Sequence, residues 1–276
     1  EEHVLAARRD FGPVALVEDR RIPGPHGEIP LRILTPFGER PFPILLYLHG
    51  GGWVMGSPAT HDDLCRSLCH RAGAVVVSVD YRLAPEHRYP VALDESCAAL
   101  AWAVESAGEI GGDAARLAVA GDSAGGNLAA ALALRVRDMG GPALALQVLI
   151  YPALNYAFET ASYHEIAEGY GLTRTEMMFF WNHYLACPAD GEHPYASPLR
   201  AADLSGLPPA LVIAAGYDPL RDDGEAYAAR LARAGVPVRL TRYAAMNHGF
   251  VSRAGVFTHG RRAIDEVAGM LRKAWD

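Results

Sequence analysis

The chain has 276 residues, half of them hydrophobic, and 25 Lys and Arg against 32 Asp and Glu give a formal net charge of −7. That length suits one α/β domain, residues 1–276, with a large core, and the composition is that of a folded globular protein. The acidic balance and scattered basic residues speak against nucleic acid or an anionic membrane as partner, and no apolar run reaches the ~20 residues that cross a bilayer.

The opening stretch, Glu1 to Asp10, is charged and holds no signal-peptide core. Apolar, β-branched runs then predict strands over Val14 to Ile22, Pro30 to Thr35 and Ile44 to His49. Directly after the third comes His49-Gly50-Gly51-Gly52-Trp53. Consecutive glycines let the backbone approach a ligand closely and turn its amides toward it. A phosphate-cradling loop would continue with Lys and Ser or Thr, where this chain has Trp53. His49 reads as a hydrogen-bonder that orients the loop rather than as a base.

A helix is predicted over Thr60 to Ala72, with Cys65, Cys69 and His70 on it. Zinc sites use closer cysteine pairs and a second pair of ligands, so these read as buried thiols and no metal is expected. Four cysteines in a chain this long do not form a disulfide framework, and a reducing, cytoplasmic location is expected. Next come a strand over Ala74 to Asp80, a helix over Pro90 to Ser106 and a strand over Leu117 to Gly121.

That last strand runs into Gly121-Asp122-Ser123-Ala124-Gly125-Gly126 and then a helix over Ala124 to Met139. Strand, tight turn and helix are the setting of a nucleophile elbow. Side chains on either flank of Ser123 would clash, hence Gly121 and Gly125. The helix behind it offers free N–H groups and a positive dipole end to a developing anion.

A strand over Ala145 to Tyr151 is followed by a break in the rhythm. Asn155 to Gly206 contains no clear strand, only a helix over Thr173 to Leu185 rich in Met, Phe, Trp and Tyr. An insertion there, residues 155–206, is expected to lie over the site as a cap, with some of Met177, Met178, Phe179, Phe180 and Trp181 lining a pocket. The chain then resumes with strands over Ala210 to Ala215 and Val238 to Tyr243, and helices over Asp222 to Ala234 and His259 to Trp275. Strands apolar throughout, alternating with helices, predict a mostly parallel, eight-stranded, doubly wound α/β sheet that binds ligands beyond its strands' carboxyl ends.

A serine nucleophile needs a base, and the base needs an orienting carboxylate. Of 11 histidines, His248 is the best placed, in a short loop between the last strand and last helix. Asp218 follows the strand over Ala210 to Ala215, which gives the chain order serine, acid, histidine. Asp122 sits beside Ser123 but should point away from the base. Asp222 and Asp223 read as helix-starting carboxylates, and most other histidines as surface or packing residues.

On these residues the chain resembles the hormone-sensitive lipase-like family of bacterial carboxylesterases, from about Val17 to Phe250. The resemblance rests on His49 to Trp53, on Asp80-Tyr81-Arg82-Leu83-Ala84-Pro85-Glu86, and on Gly121 to Gly126. It continues through Ser197-Pro198-Leu199, Asp218-Pro219-Leu220-Arg221-Asp222 and His248-Gly249-Phe250. It implies an α/β-hydrolase fold with Ser123 as nucleophile, His248 as general base and Asp218 as its orienter. Amides of Gly51, Gly52 and Ala124 would form the oxyanion hole, with His49, Gly50, Gly121, Gly125 and Glu86 as supporting motif positions. The implied activity is hydrolysis of short- to medium-chain carboxylic esters by water through an acyl-enzyme, with no cofactor or metal and a homodimer as the expected assembly. An amidase or formamidase shares this chemistry. A non-catalytic small-ligand receptor, like the plant gibberellin receptors that resemble the family but lack the histidine, is a further alternative. The family's cap also draws on an N-terminal segment longer than the one here, to which residues 1–13 are assigned. The loop Ala244-Ala245-Met246-Asn247 lacks a glycine that the family places before its histidine.

Overall fold

The computed structural model of the chain describes residues 11–276. Eight strands form one sheet: β1 (Leu16–Ile22), β2 (Ile29–Thr35), β3 (Phe42–Leu48), β4 (Val75–Val79), β5 (Gly112–Asp122), β6 (Leu146–Ile150), β7 (Ala210–Tyr217) and β8 (Val238–Asn247). Their order across the sheet is β1-β2-β4-β3-β5-β6-β7-β8. β2 runs antiparallel to both β1 and β4, and every other pairing is parallel. The predicted mostly parallel α/β sheet is therefore the fold.

Side chains alternate across the strands and so feed separate cores on the two faces. Ile44, Leu46, Leu48, Val75, Val77 and Val79 join the core beneath helices α2 (Val91–Glu105), α3 (Ala124–Asp138) and α6 (Arg221–Arg233). Leu45, Tyr47, Ala74 and Val76 join the other, beneath α1 (Asp62–Ala72) and α7 (Thr258–Trp275). Burial on both faces is why β3 and β4 read as unbroken apolar runs. Cys65 and Cys69 are fully buried in the second core, where loss of hydration pushes both thiols up, and His70 is exposed.

Two strands outrun the sequence reading. β5 begins at Gly112, five residues before Leu117, and β8 continues to Asn247 rather than stopping at Tyr243. In neither extension does apolar alternation mark the strand. For β8 it is main-chain pairing that carries it onward, past a register shift, to set Asn247 opposite Tyr217. His248 thus leaves directly from a strand end instead of hanging in a longer loop.

Between β6 and β7 lie the helices α4 (Ala161–Glu165) and α5 (Arg174–Tyr184) and the 3-10 turns Pro188–Glu192 and Pro198–Arg200, with no strand. Thr173 starts α5 with a reciprocal capping box to Glu176. Trp181 and Tyr184 of α5 pack on Trp53 at ring-centroid distances of 4.5 and 4.3 Å, fastening this segment to the glycine loop. Of residues 1–13, assigned to the cap, 1–10 lie outside the described residues. Phe11 is buried in the second core and its carbonyl accepts the Ser67 hydroxyl of α1.

Candidate active site

β5 ends at Asp122, and the chain turns through Ser123 (φ 55°, ψ −118°) into α3. A left-handed φ at a non-glycine residue costs on the order of 1–3 kcal/mol and persists only where its surroundings hold it. Here the Ser123 N–H donates to Ile150 O at 2.8 Å. A Cβ on Gly121 would lie 2.2 Å from Gly125 O, and one on Gly125 would lie 1.9 Å from Leu48 O. Backbone-to-backbone contact this close leaves room for hydrogen alone.

Ser123 Oγ lies 2.9 Å from His248 Nε2, and His248 Nδ1 lies 2.7 Å from Asp218 Oδ2. A carboxylate only accepts, so Nδ1 carries the proton and Nε2 is left to accept from the serine hydroxyl. Asp218 is fully buried, and its other oxygen accepts the Leu220 N–H at 2.9 Å. The Tyr151 ring packs on the imidazole at 4.7 Å. Ser123, Asp218 and His248 come from the carboxyl ends of β5, β7 and β8, where a doubly wound sheet places its ligands.

Facing Ser123 is the loop after β3. Gly51 has φ 123°, and a Cβ there would meet Met55 O at 2.1 Å. Gly51 and Gly52 line the same pocket as Ser123. Ala124 is the first residue of α3, so its N–H has no acceptor within the helix.

His49 is buried, and its Nδ1–H donates to Gly50 O at 2.8 Å. It stacks on Tyr81 at 4.2 Å, and the Tyr81 hydroxyl donates to His49 O at 2.7 Å. Burial pulls this imidazole down to about 4, so it is neutral, with its one ring hydrogen bonded within the glycine loop.

Asp122 does face away from His248. Its Oδ1 accepts the Tyr47 hydroxyl at 2.7 Å and the Gly50 N–H at 3.0 Å, and lies 3.3 Å from His61 Nε2. Burial by itself would raise this carboxyl, but the charge and hydrogen bond of His61 outweigh it and hold Asp122 below the ordinary range. Sequence reasoning missed His61, grouped with the packing histidines. The available signal was the carboxylate beside the elbow, since a buried anion needs partners.

The pocket above Ser123 encloses about 490 Å³, within the range of small-molecule sites, and its apolar wall is Met55, Leu172, Met177 and Phe180. Of the five insertion residues expected at a pocket, Met177 and Phe180 are there. Met178 and Phe179 are exposed, and Trp181 is buried against Trp53 instead. A hollow of similar size, about 520 Å³, lies between the β1–β2 ribbon and Ser57–Ala59 and holds none of these groups.

Glu86 is exposed and does not reach the site. Within its motif it is Arg82 that braces the fold, giving its N–H to Glu95 Oε2 at 2.8 Å and its guanidinium to Oε1 of the same fully buried residue. Asp222 and Asp223 open α6 but bond across to other segments. Asp222 Oδ2 accepts the Ser162 N–H at 2.8 Å, and Asp223 Oδ2 accepts those of Leu154 and Asn155 at 3.1 and 3.2 Å.

A serine on a strand-to-helix elbow, bonded to a late histidine and carboxylate beneath a glycine loop, defines the α/β-hydrolase class. Residues 45–252 match the family model described as alpha/beta hydrolase fold. The chain is 46% identical over 262 residues to the carboxylic ester hydrolase LipN of Mycobacterium tuberculosis, covering 93% of this chain and 70% of that protein. It is 39% identical over 251 residues to the ethyl acetate hydrolase of Pseudomonas putida, covering 89% and 78% of the two chains. The hyperthermophilic esterase from the archaeon Pyrobaculum calidifontis superposes with a TM-score of 0.93 at 44% identity, over 99% of this chain and 90% of that one. The chain belongs to the hormone-sensitive lipase-like family of α/β-hydrolases, and its class is carboxylic ester hydrolase. No helix among the described residues is long and apolar enough to cross a membrane.

Proposed function

We propose that the protein is a serine carboxylesterase of short- to medium-chain esters in which Ser123, His248 and Asp218 form the catalytic triad. The observation that carries this is the hydrogen-bonded chain from Asp218 through His248 to Ser123, at 2.7 and 2.9 Å. Ser123 Oγ attacks the ester carbonyl while His248 Nε2 takes its proton, and Asp218 holds the imidazole in the productive tautomer and stabilises its charged form. N–H groups of Gly51, Gly52 and Ala124 receive the oxyanion. Losing one such donor costs about 3 kcal/mol in the transition state. His248 then protonates the departing alcohol, and water cleaves the acyl-enzyme by the same route, regenerating the serine and releasing the acid. The scheme asks for no metal or organic cofactor.

We read residues 155–206 as the cap, with Met177 and Phe180 setting the apolar wall against the acyl chain. A pocket of about 490 Å³ favours short and medium acyl groups. A homodimer and a cytoplasmic location complete the proposal, the first checked by light scattering and the second by fractionation. The central test is a p-nitrophenyl series from acetate to palmitate, on the wild type and Ser123→Ala, beside matched amides. Turnover should peak at short or medium chains, exceed that of amides and vanish in Ser123→Ala. A maximum at palmitate would overturn the chain-length reading, and an active Ser123→Ala would remove the serine from the mechanism.

A further inference from the structure

Thr60 Oγ1 accepts the Ser57 N–H at 3.0 Å and donates its only proton to Ser57 O at 2.8 Å. It also lies 2.9 Å from His61 Nδ1, and with its proton committed it can only accept there. With the Thr60 proton directed to Ser57 O, the His61 Nδ1 carries a hydrogen. The opposite nitrogen, Nε2, faces Asp122 Oδ1 at 3.3 Å, and a carboxylate again calls for a donor. In that arrangement both ring nitrogens are protonated, the form that Asp122 favours against burial. His61 is an imidazolium paired with the carboxylate that holds the Gly50 N–H.

We propose that His61 is a positioning residue for ester hydrolysis: as a cation it fixes Asp122, which fixes Gly50 and so the N–H groups of Gly51 and Gly52 that follow. This rests on the reading of those amides as the oxyanion donors. Spacing supports it, because the Gly50 nitrogen is 3.0 Å from Asp122 Oδ1 and any shift of the carboxylate moves the loop directly. The Tyr47 hydroxyl on β3 is a second, neutral donor to the same oxygen. The groups facing His61 are Asp122 from β5, Tyr47 from β3 and His49 directly after it (ring distances 6.3 and 5.6 Å), and Thr60 beside it. His49 is neutral, which leaves His61 as the cation of this cluster, and Asp122 holds the His61 imidazole above its ordinary value against the pull of burial.

The test compares the wild type with His61→Leu and His61→Gln, using p-nitrophenyl butyrate and an alkyl trifluoromethyl ketone. The ketone adds to the serine and places its oxyanion where the ester's would be. His61→Leu should lose about tenfold or more in kcat, the scale of a misplaced oxyanion donor, with KM within about twofold and ketone affinity reduced by the same factor as kcat. His61→Gln, which returns a donor without the charge, should recover only part of that loss. It should also lack the alkaline fall in kcat that the wild type shows as His61 loses its proton. A His61→Leu enzyme within about twofold of wild type in kcat would overturn the proposal, as would a kcat loss without the matching loss of ketone affinity. Identical alkaline limbs in the wild type and His61→Gln would overturn the cationic role, and this comparison decides even if the leucine variant does not fold. Wild type inert toward the ester would instead refute the esterase mechanism itself.

Discussion

Asp218, just past β7, and Asp223, in the first turn of α6, are both fully buried, yet they serve different partners. Asp218 takes the imidazole N–H of His248 at 2.7 Å, while Asp223 takes the main-chain N–H groups of Leu154 and Asn155 at 3.1 and 3.2 Å. One turn of chain therefore holds the His248 imidazole and also ties down the segment leaving β6.

The two carboxyls should answer differently to pH and substitution. Burial, only partly offset by the two N–H donors, pushes Asp223 up to about 8. A folded-state value raised above the unfolded one means stability that is full below about 4 and drains away as pH rises toward 8. Asp223→Asn keeps an acceptor and removes the ionisation. Its thermal midpoint should exceed that of the wild type above pH 8, with the gap closing toward pH 4, as read by calorimetry across that range.

Asp218→Asn should leave the fold and KM nearly unchanged and lower kcat on the order of 10⁴-fold, because an amide no longer enforces the proton on Nδ1. Steady-state kinetics on p-nitrophenyl butyrate measure it. A fall in kcat of less than about tenfold would remove Asp218 from the mechanism.

Arg82→Ala strands the wholly buried carboxylate of Glu95 with only the residue-82 N–H. Removing one partner of a buried pair typically destabilises by about 3–5 kcal/mol. Urea unfolding should show that loss, while kcat of the remaining folded enzyme stays close to wild type.

Gly125→Ala puts a methyl group 1.9 Å from Leu48 O, where β3 and the elbow meet. Two backbone segments cannot both yield, so the variant should lose its activity together with several degrees of thermal midpoint. Ser123→Ala, by contrast, should keep its midpoint and lose only turnover.

The sheet was readable from sequence because strands buried on both faces have nowhere to place polar residues, and β3, β4 and β7 carry almost none. Ser123, Asp218 and His248 were readable because each sits just past a recognisable strand. Less legible was whatever depended on contacts between distant segments. The extension of β8 is held by pairing rather than by its own pattern, and Met178 and Phe179 face solvent although they are as apolar as Met177 and Phe180. His61 has no local signal, because its partner, Asp122, lies 61 positions away in the chain.

Ser123 follows β5, toward the middle of the sheet, but His248 leaves from β8, an edge strand paired along one flank only. His248, proposed as the proton acceptor, therefore sits at the edge of the sheet, where strands have a partner on one side only. If edge strands open locally before the core does, turnover should fade ahead of ellipticity on mild warming and return on cooling without any refolding.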